Sequence, residues 1–236
     1  MIVTLLFFAG LMAVAAWWLA RHGLGTRPWL ETQPAAELAA SGMPSLPTAK
    51  IGLGIFLAVA GLLLSLIVSA YAMRMDMADW RPFPQPRLLW VNTGVLVLSS
   101  IALHRASVAA RRGNRGGVQD GLLAGGLTAV LFVIGQLLAW RQLAAAGYRP
   151  ATNPAEAFFY LITAVHGLHV LGGLVALGRA GARLQGGAAM ARMRLSVELC
   201  ATYWHFLLLA WICLFALLAY APSVAWLAAL CSAPFR

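Results

Sequence analysis

The chain has 236 residues, of which 61% are hydrophobic and only 10% are charged. A water-soluble domain of this size needs more charged side chains to cover its surface, so the composition excludes one and indicates a membrane protein. The formal net charge is +10, but the basic residues lie in short segments between apolar runs. The charge therefore reports membrane topology, and no nucleic-acid partner is expected.

Six apolar runs are long enough to cross about 30 Å of hydrocarbon, which takes about 20 residues of helix. Helices are required because lipid offers the backbone no hydrogen-bond partner, and the runs lack the alternation of a β-barrel. The predicted fold is an all-α integral membrane protein, a bundle of about six transmembrane helices. The runs lie near 1–20, 51–73, 88–110, 121–140, 157–178 and 195–221.

The first run is predicted to be a retained anchor. No basic residue precedes it and Arg21 follows it, which is the reverse of a cleavable signal peptide. Residues 21–50 contain several prolines and small residues, and they form a predicted loop. We therefore divide the chain into an N-terminal anchor helix with its loop, 1–49, and a transmembrane bundle, 50–236.

The segments between the later spans set the orientation. RPFPQPR at 81–87 cannot be helical throughout, and RRGNRGG at 111–117 is a predicted tight turn. With six spans, eleven of the seventeen Lys and Arg residues fall on one side. The positive-inside rule places that side in the cytoplasm and both termini in the periplasm. The eleven are Arg21, Arg27, Lys50, Arg105, Arg111, Arg112, Arg115, Arg179, Arg183, Arg192 and Arg194.

Small residues four positions apart predict close helix packing in three places. The three cysteines are odd in number and lack CxxC spacing, so we expect small hydrophobic side chains rather than disulfides or metal ligands. The pairs of small residues are Gly121 and Gly125, Gly172 and Ala176, and Gly178 and Ala182.

Polar side chains inside the predicted spans are the candidate functional groups, because such groups are costly in lipid and normally have partners. His166 and His169 are three residues apart and share a helix face. Glu198 and His205 are two turns apart on another face, and we predict that they interact. The full set is His104, Gln136, His166, His169, Glu198 and His205.

Three interpretations of these groups remain open on the residues alone. Imidazoles could ligate haem or a metal, although a bis-histidine haem site needs pairs on facing helices. The polar faces could instead line a path for a substrate or for protons. They could also be structural, bonding helices to one another and to lipid head groups, which is the favoured interpretation.

Three segments closely resemble subunit III of the haem–copper respiratory oxidases, the cytochrome c oxidase subunit III family. FFYLITAVHGLHVLGG (158–173) resembles its signature helix, and VELCATYWHFLLLAW (197–211) is similar to its last helix. LLWVNTGVLVLSSIALHRA (88–106) is similar to a third segment. The resemblance covers roughly 50–221, more weakly at 50–74 and 119–143, and residues 1–49 do not match well.

The resemblance implies an accessory membrane subunit of a proton-pumping terminal oxidase in a bacterial inner membrane. It implies that this chain holds no cofactor and is not itself catalytic, while haem and copper reside in partner subunits. The implied partners are the catalytic subunit I, subunit II, further small subunits and bound phospholipid. The residues expected to bind lipid or to hold helices together are His104, Gln136, His166, His169, Arg183, Glu198, Tyr203, Trp204 and His205, with Arg183 placed near a lipid phosphate.

The sequence also departs from the family's pattern. Ala60 stands where a buried glutamate is usual, Ala139 replaces an acidic residue, and the aspartate expected within Leu207–Leu209 is absent. A proton-linked role for the missing glutamate is therefore unsupported. The expected electron donor is cytochrome c, with quinol as the rival. Two more functions stay open, namely the related accessory protein of nitric oxide reduction and a free-standing transporter or channel.

Overall fold

A computed structural model describes residues 47–75 and 77–220 of the chain. The predicted first span, the loop up to residue 46 and the tail after residue 220 lie outside the described residues. The described part contains five helices and no strand, and each helix is long and apolar enough to cross a membrane. They are α1 (Thr48–Met75), α2 (Leu88–Arg111), α3 (Arg115–Ala145), α4 (Pro154–Gln185) and α5 (Met190–Tyr220).

The last five predicted spans are thus confirmed as helices, and each helix is longer than its apolar run. RRGNRGG was predicted to be a turn, but α3 already begins at Arg115, where the side chain of Asn114 accepts a hydrogen bond from the Gly117 amide at 3.0 Å. Charged residues continue a helix beyond the hydrocarbon, since water and head groups solvate them there. The connection needs only residues 112–114, and Gly113 takes a φ of +71° that favours glycine.

Four of the helices, α2 to α5, form a bundle within the compact unit Gly52–Val224. In this bundle α2 packs against α3 and α5, and α4 packs against the same two helices. Successive helices run antiparallel, as their short connections require. The side chains between them form one continuous core that includes Leu96, Phe132, Trp204 and Trp211, all fully buried.

The helix α1 is packed much less closely than the other four. Only Ser65 and Tyr71 of its 28 residues are buried. Phe56 contacts the rings of His169 and Tyr203, and Tyr71 contacts Phe158. Most of its large side chains are exposed and apolar, which suits a helix surrounded largely by lipid.

One end of the bundle carries aromatic side chains and an asparagine that joins two segments. Residues 81–86 are irregular, as the prolines predicted. Asn153 accepts hydrogen bonds from the amides of Ala155 and Arg81, at 3.2 and 3.3 Å, and donates to the Arg81 carbonyl. Arg74 forms an ion pair with Asp79 in the same connection and lowers the pKa of that carboxyl. The rings gathered at this end are Tyr71, Trp80, Phe83, Tyr148, Phe158 and Phe159.

Candidate functional site

The four bundle helices meet at Trp211 of α5. Its indole N–H donates to the Thr93 hydroxyl of α2 at 2.9 Å. Its ring lies 5.0 Å from the ring of Phe132 on α3 and 5.0 Å from that of His166 on α4, measured between centroids. We call Thr93, Phe132, His166 and Trp211 the four-helix junction. It gives His166 an aromatic environment deep in the bundle.

His166 belongs to the HGLHV segment and is 4% exposed. Within the described residues its Nε2 atom has no hydrogen-bond partner. Its close neighbours are the Trp211 and Phe132 rings, the latter at 5.8 Å and nearly perpendicular. The arrangement therefore uses this imidazole as a packing group between three helices.

His169 lies one turn further along α4, at the contact with α5. Its Nδ1 atom lies 2.8 Å from the Val165 carbonyl of its own helix, while the Tyr203 hydroxyl of α5 donates to the His169 carbonyl at 2.9 Å. Gly173, one turn on, lies so close to Trp204 that a Cβ there would be 2.6 Å from the indole Cζ3 atom. The predicted residues Tyr203 and Trp204 thus hold α5 against the HGLHV helix.

A second polar group lies between α2 and α5, which we call the α2–α5 polar face: Ser100, His104 and Arg111 with Glu198, Thr202 and His205. Ser100 Oγ lies 2.5 Å from His205 Nδ1, and the His104 and His205 ring centroids are 5.6 Å apart. Glu198 accepts from Arg111 at 2.8 Å. The predicted interaction partners Glu198 and His205 therefore each have a partner on α2.

Gln136 and Arg183 belong to neither group, although Gln136 lies one turn from Phe132 on α3 and lines a groove with it. Gln136 is buried, and neither atom of its amide has a hydrogen-bond partner among the described residues. It lines a groove between α3 and α4 together with Trp140 and Thr163, which are bonded to each other at 3.0 Å. Arg183 is exposed in the last turn of α4.

Two residues of the four-helix junction, and one buried acidic residue, were not identified from the sequence. Trp211 and Thr93 lie within segments that carry the family resemblance, but an apolar run does not reveal which of its members face a neighbouring helix. Glu156 lies just before the predicted span 157–178, yet it is only 4% exposed in the first turn of α4. The pattern NPAE, an N-cap followed by proline and an acid, was the available signal.

No group of three or more His, Cys, Asp or Glu side chains within 47–75 and 77–220 is arranged to hold a metal ion. Ser100, His205 and Tyr203 make hydrogen bonds between helices, and His166 packs against the Trp211 ring. What this arrangement does chemically is to join helices.

Comparison with known proteins gives the chain's relatives. The family model described as cytochrome c oxidase subunit III matches residues 54–223. Cytochrome c oxidase subunit 3 of Thermostichus vulcanus is 31% identical over 173 residues, which cover 71% of this chain and 85% of that protein. The corresponding subunit of Synechocystis is 30% identical over 70% of this chain and 72% of its own length. Subunit 3 of the cytochrome bo(3) ubiquinol oxidase of Pseudomonas aeruginosa is 28% identical, and the matched region covers 56% of this chain and 63% of that protein.

Proposed function

Since the chain belongs to the cytochrome c oxidase subunit III family, we propose that it is the accessory, non-catalytic subunit of a proton-pumping haem–copper terminal oxidase. The predicted family and function class are confirmed, as is the location in a bacterial membrane that the chain crosses several times. The proposal adds that subunits I and II and further small subunits are its partners, and that they carry the haem and copper. We also propose, as the sequence predicts, that residues near 1–20 form a sixth span and that both termini lie in the periplasm.

The observation that carries the non-catalytic role is the use of the HGLHV histidines. His166 packs between the rings of Phe132 and Trp211, and the His169 side chain is bonded to its own helix. The His166 imidazole thus packs between helices, and the His169 ring contacts Phe56 of α1 at 6.3 Å between centroids. An accessory subunit needs this rigidity to keep one face fixed against its partner, and it leaves electron transfer to that partner.

The proposed bound lipid is supported by the sparse packing of α1 and by Arg183. A helix that buries two of its 28 residues leaves room beside it for acyl chains. Arg183 is exposed at the end of α4, and a guanidinium forms paired hydrogen bonds with phosphate oxygens. We propose that a phospholipid places its head group at Arg183. We assign the structural role to His104, Gln136, His166, His169, Glu198, Tyr203, Trp204 and His205.

Purification from native membranes in a mild detergent tests the accessory role. The chain is expected to co-elute with subunits that contain haem and copper, in a complex that reduces oxygen. Haem absorption in stoichiometric amount from the separated chain would overturn the non-catalytic assignment. A stable solitary chain that carries a solute flux in liposomes would favour a transporter instead.

Mass spectrometry of the phospholipid that remains in the complex tests the lipid site. Arg183→Gln should lower the retained phospholipid, because the phosphate loses its guanidinium partner. Arg149→Gln is the matched control, since Arg149 is exposed near the opposite end of the bundle. Equal lipid content in the two variants would contradict a head-group site at Arg183.

The electron donor divides the relatives, since one is named for cytochrome c and another for ubiquinol. We propose cytochrome c, because the relatives with the longer matched regions carry that name. Oxygen uptake by the purified complex with reduced cytochrome c, compared with ubiquinol, decides between them. If the purified complex reduced nitric oxide instead of oxygen, the chain would be the related accessory protein of nitric oxide reduction.

A further inference from the structure

Two buried side chains of the bundle carry polar atoms that lack a hydrogen-bond partner. Gln136 of α3 and His166 of α4 are each 4% exposed. Among residues 47–75 and 77–220, nothing bonds to either amide atom of Gln136 or to Nε2 of His166. Buried polar groups in proteins nearly always have a partner, and an unmet hydrogen bond is especially costly in a membrane. These three atoms therefore need a partner from outside the described helices.

Contacts on either side of Gln136 place it opposite His166. Phe132, Gln136 and Trp140 lie on successive turns of one face of α3, because residues four apart share a face. The Phe132 ring contacts the His166 ring, with centroids 5.8 Å apart, and the Trp140 indole N–H donates to the Thr163 hydroxyl at 3.0 Å. Since Thr163 and His166 are one turn apart on α4, Gln136 lies level with the turn that carries the imidazole.

Three proton donors near this level are already used. The indole N–H of Trp140 donates to Thr163, and the Thr163 hydroxyl donates in turn to the Phe159 carbonyl at 2.7 Å. The indole N–H of Trp211, whose ring lies beside the imidazole, donates to Thr93 at 2.9 Å. None of these protons is available to the amide oxygen or to the imidazole nitrogen.

Space for a small molecule adjoins the amide. A groove of about 200 Å³ between α3 and α4 is lined by Phe132, Gln136 and Trp140, and by Gly167 of α4. A Cβ at Gly167 would meet nothing within 4 Å. The last torsion of a glutamine side chain is broad, so the amide can turn toward this space. A water molecule takes up about 30 Å³ in the liquid, and the groove is large enough to hold one.

The depth of the groove restricts which molecules can reach it. The 31 residues of α3 are about 46 Å long, so a centred helix extends about 8 Å beyond a hydrocarbon core of about 30 Å at each end. Gln136 is nine residues before the end of α3 at Ala145, which places it about 6 Å inside the hydrocarbon. The groove also has exposed apolar residues, Leu137, Leu168 and Leu171. Acyl chains therefore surround it, and they cannot form hydrogen bonds.

We propose that a buried water molecule lies between α3 and α4 and bonds both the Gln136 amide and His166 Nε2. An amide and an imidazole can each donate and accept, and a buried water typically makes about three hydrogen bonds, so one molecule can serve both. The water would join the two helices where their side chains make no direct bond. The proposal does not depend on the oxidase role.

A density map at a resolution that shows ordered water tests the location. The sample is the protein purified from native membranes with the subunits that accompany it. A peak within hydrogen-bonding distance of both the Gln136 amide and His166 Nε2 is expected. A direct bond between the amide and the imidazole, or an amide bonded to a backbone carbonyl of α4 with no peak beside it, would overturn the proposal.

Radiolysis by X-rays in ¹⁸O-labelled water tests whether the molecule at the site is water. A bound water split by radiation oxidises the side chains beside it, and Phe132 is fully buried, so radicals from bulk solvent do not reach it. Phe132 should take up ¹⁸O, and Gln136→Leu should lower the uptake about threefold, because one hydrogen bond inside a membrane is worth about that factor in an equilibrium constant. Gln142→Leu, the same change at an exposed position of α3, is the control. Equal uptake in the two variants would contradict the proposal.

A double-mutant cycle tests the energetic link. Gln136→Leu and His166→Phe should be coupled by at least about threefold in the unfolding equilibrium constant in mixed micelles with SDS, because either change removes the same bridge. The cycle of Gln142→Leu with His166→Phe should show no coupling. Equal coupling in both cycles would count against the bridge. If Gln136→Leu prevents folding, the map of the unmodified protein still decides.

Discussion

Gly135 of α3 packs directly on the side chain of Asn92 of α2, so closely that a Cβ at position 135 would overlap the Asn92 amide. Two further glycines of α3 make similar approaches. A Cβ at Gly121 would lie 2.6 Å from Ala106 Cβ, and one at Gly125 would lie 2.7 Å from Leu103 Cγ. The α2–α3 contact therefore depends on the absence of a side chain at three positions along α3.

The substitution Gly135→Ala is expected to destabilise the bundle by about 1–3 kcal/mol, because the added methyl group must displace a buried amide. Gly94→Ala on α2 is the control, since nothing lies within 4 Å of a Cβ there. Unfolding in mixed micelles with increasing SDS measures both. Adding Asn92→Ala to Gly135→Ala should recover part of the loss, and failure to recover would show that the clash lies elsewhere.

Two adjacent glycines of α4 provide a second test. Gly173 lies against Tyr203 and Trp204, whereas a Cβ at Gly172 would meet nothing within 4 Å. We expect Gly173→Ala to cost about 1–3 kcal/mol and to loosen α5. Gly172→Ala should be neutral or slightly stabilising, because alanine favours the helix. The thermal midpoints of the two purified variants decide this, and equal midpoints would refute the assigned contact.

The two fully buried tryptophans of α5 differ in one hydrogen bond. Trp211 donates to Thr93, while Trp204 Nε1 has no partner within the described part of the chain. Replacement by phenylalanine removes the same volume from each. Trp211→Phe should therefore cost more than Trp204→Phe, by about 0.6 kcal/mol and at most about 1.7 kcal/mol.

A double-mutant cycle with Thr93→Val checks the origin of that difference. The coupling between Trp211→Phe and Thr93→Val should account for it, because either change alone removes the same bond. SDS unfolding gives the four free energies. A coupling indistinguishable from zero would mean that the Trp211 hydrogen bond does not stabilise the bundle.

Asn153 is expected to stabilise the protein in two ways, as the N-cap of α4 and through its hydrogen bonds to the Arg81 backbone. Two substitutions can separate these contributions. Asn153→Ala removes both the cap of α4 and the bonds to Arg81, and should cost about 1–2 kcal/mol. Asn153→Ser keeps a capping oxygen but is too short to join the Arg81 backbone. It should fall between the alanine variant and the unmodified protein, as measured by thermal unfolding. Equal losses for serine and alanine would assign the whole effect to the bonds with Arg81.

Most of the helical architecture could be predicted from length and hydropathy, because a run of about 20 apolar residues has few other structures available in lipid. The ends were less predictable. Residues 115–120 precede the predicted span 121–140 and were expected to lie outside it. In the structure they form the start of α3, with Asn114 as the N-cap. Beyond the hydrocarbon, hydropathy no longer distinguishes helix from loop.

The rotation of each helix about its axis could not be predicted. In a soluble helix the apolar stripe marks the buried side, but here the core and the lipid-facing surface are both apolar. Gly121 and Gly125 were correctly expected to pack closely. Gly172 and Gly178 were also expected to pack closely, and that prediction was wrong. A Cβ at either position would meet nothing within 4 Å, and Gly173 makes the close contact instead. The partners of His205 and Glu198 on α2 were hidden for the same reason.

The sparse packing of α1 makes the surrounding bilayer its main support. A helix of 28 residues is about 42 Å long, which exceeds the thickness of most hydrocarbon cores, and only Ser65 and Tyr71 of α1 are buried against the rest of the described chain. Changes in acyl-chain length should therefore alter the tilt of α1 while the interlocked α2–α5 bundle keeps its geometry. In this way α1 would register membrane thickness at the edge of a rigid subunit.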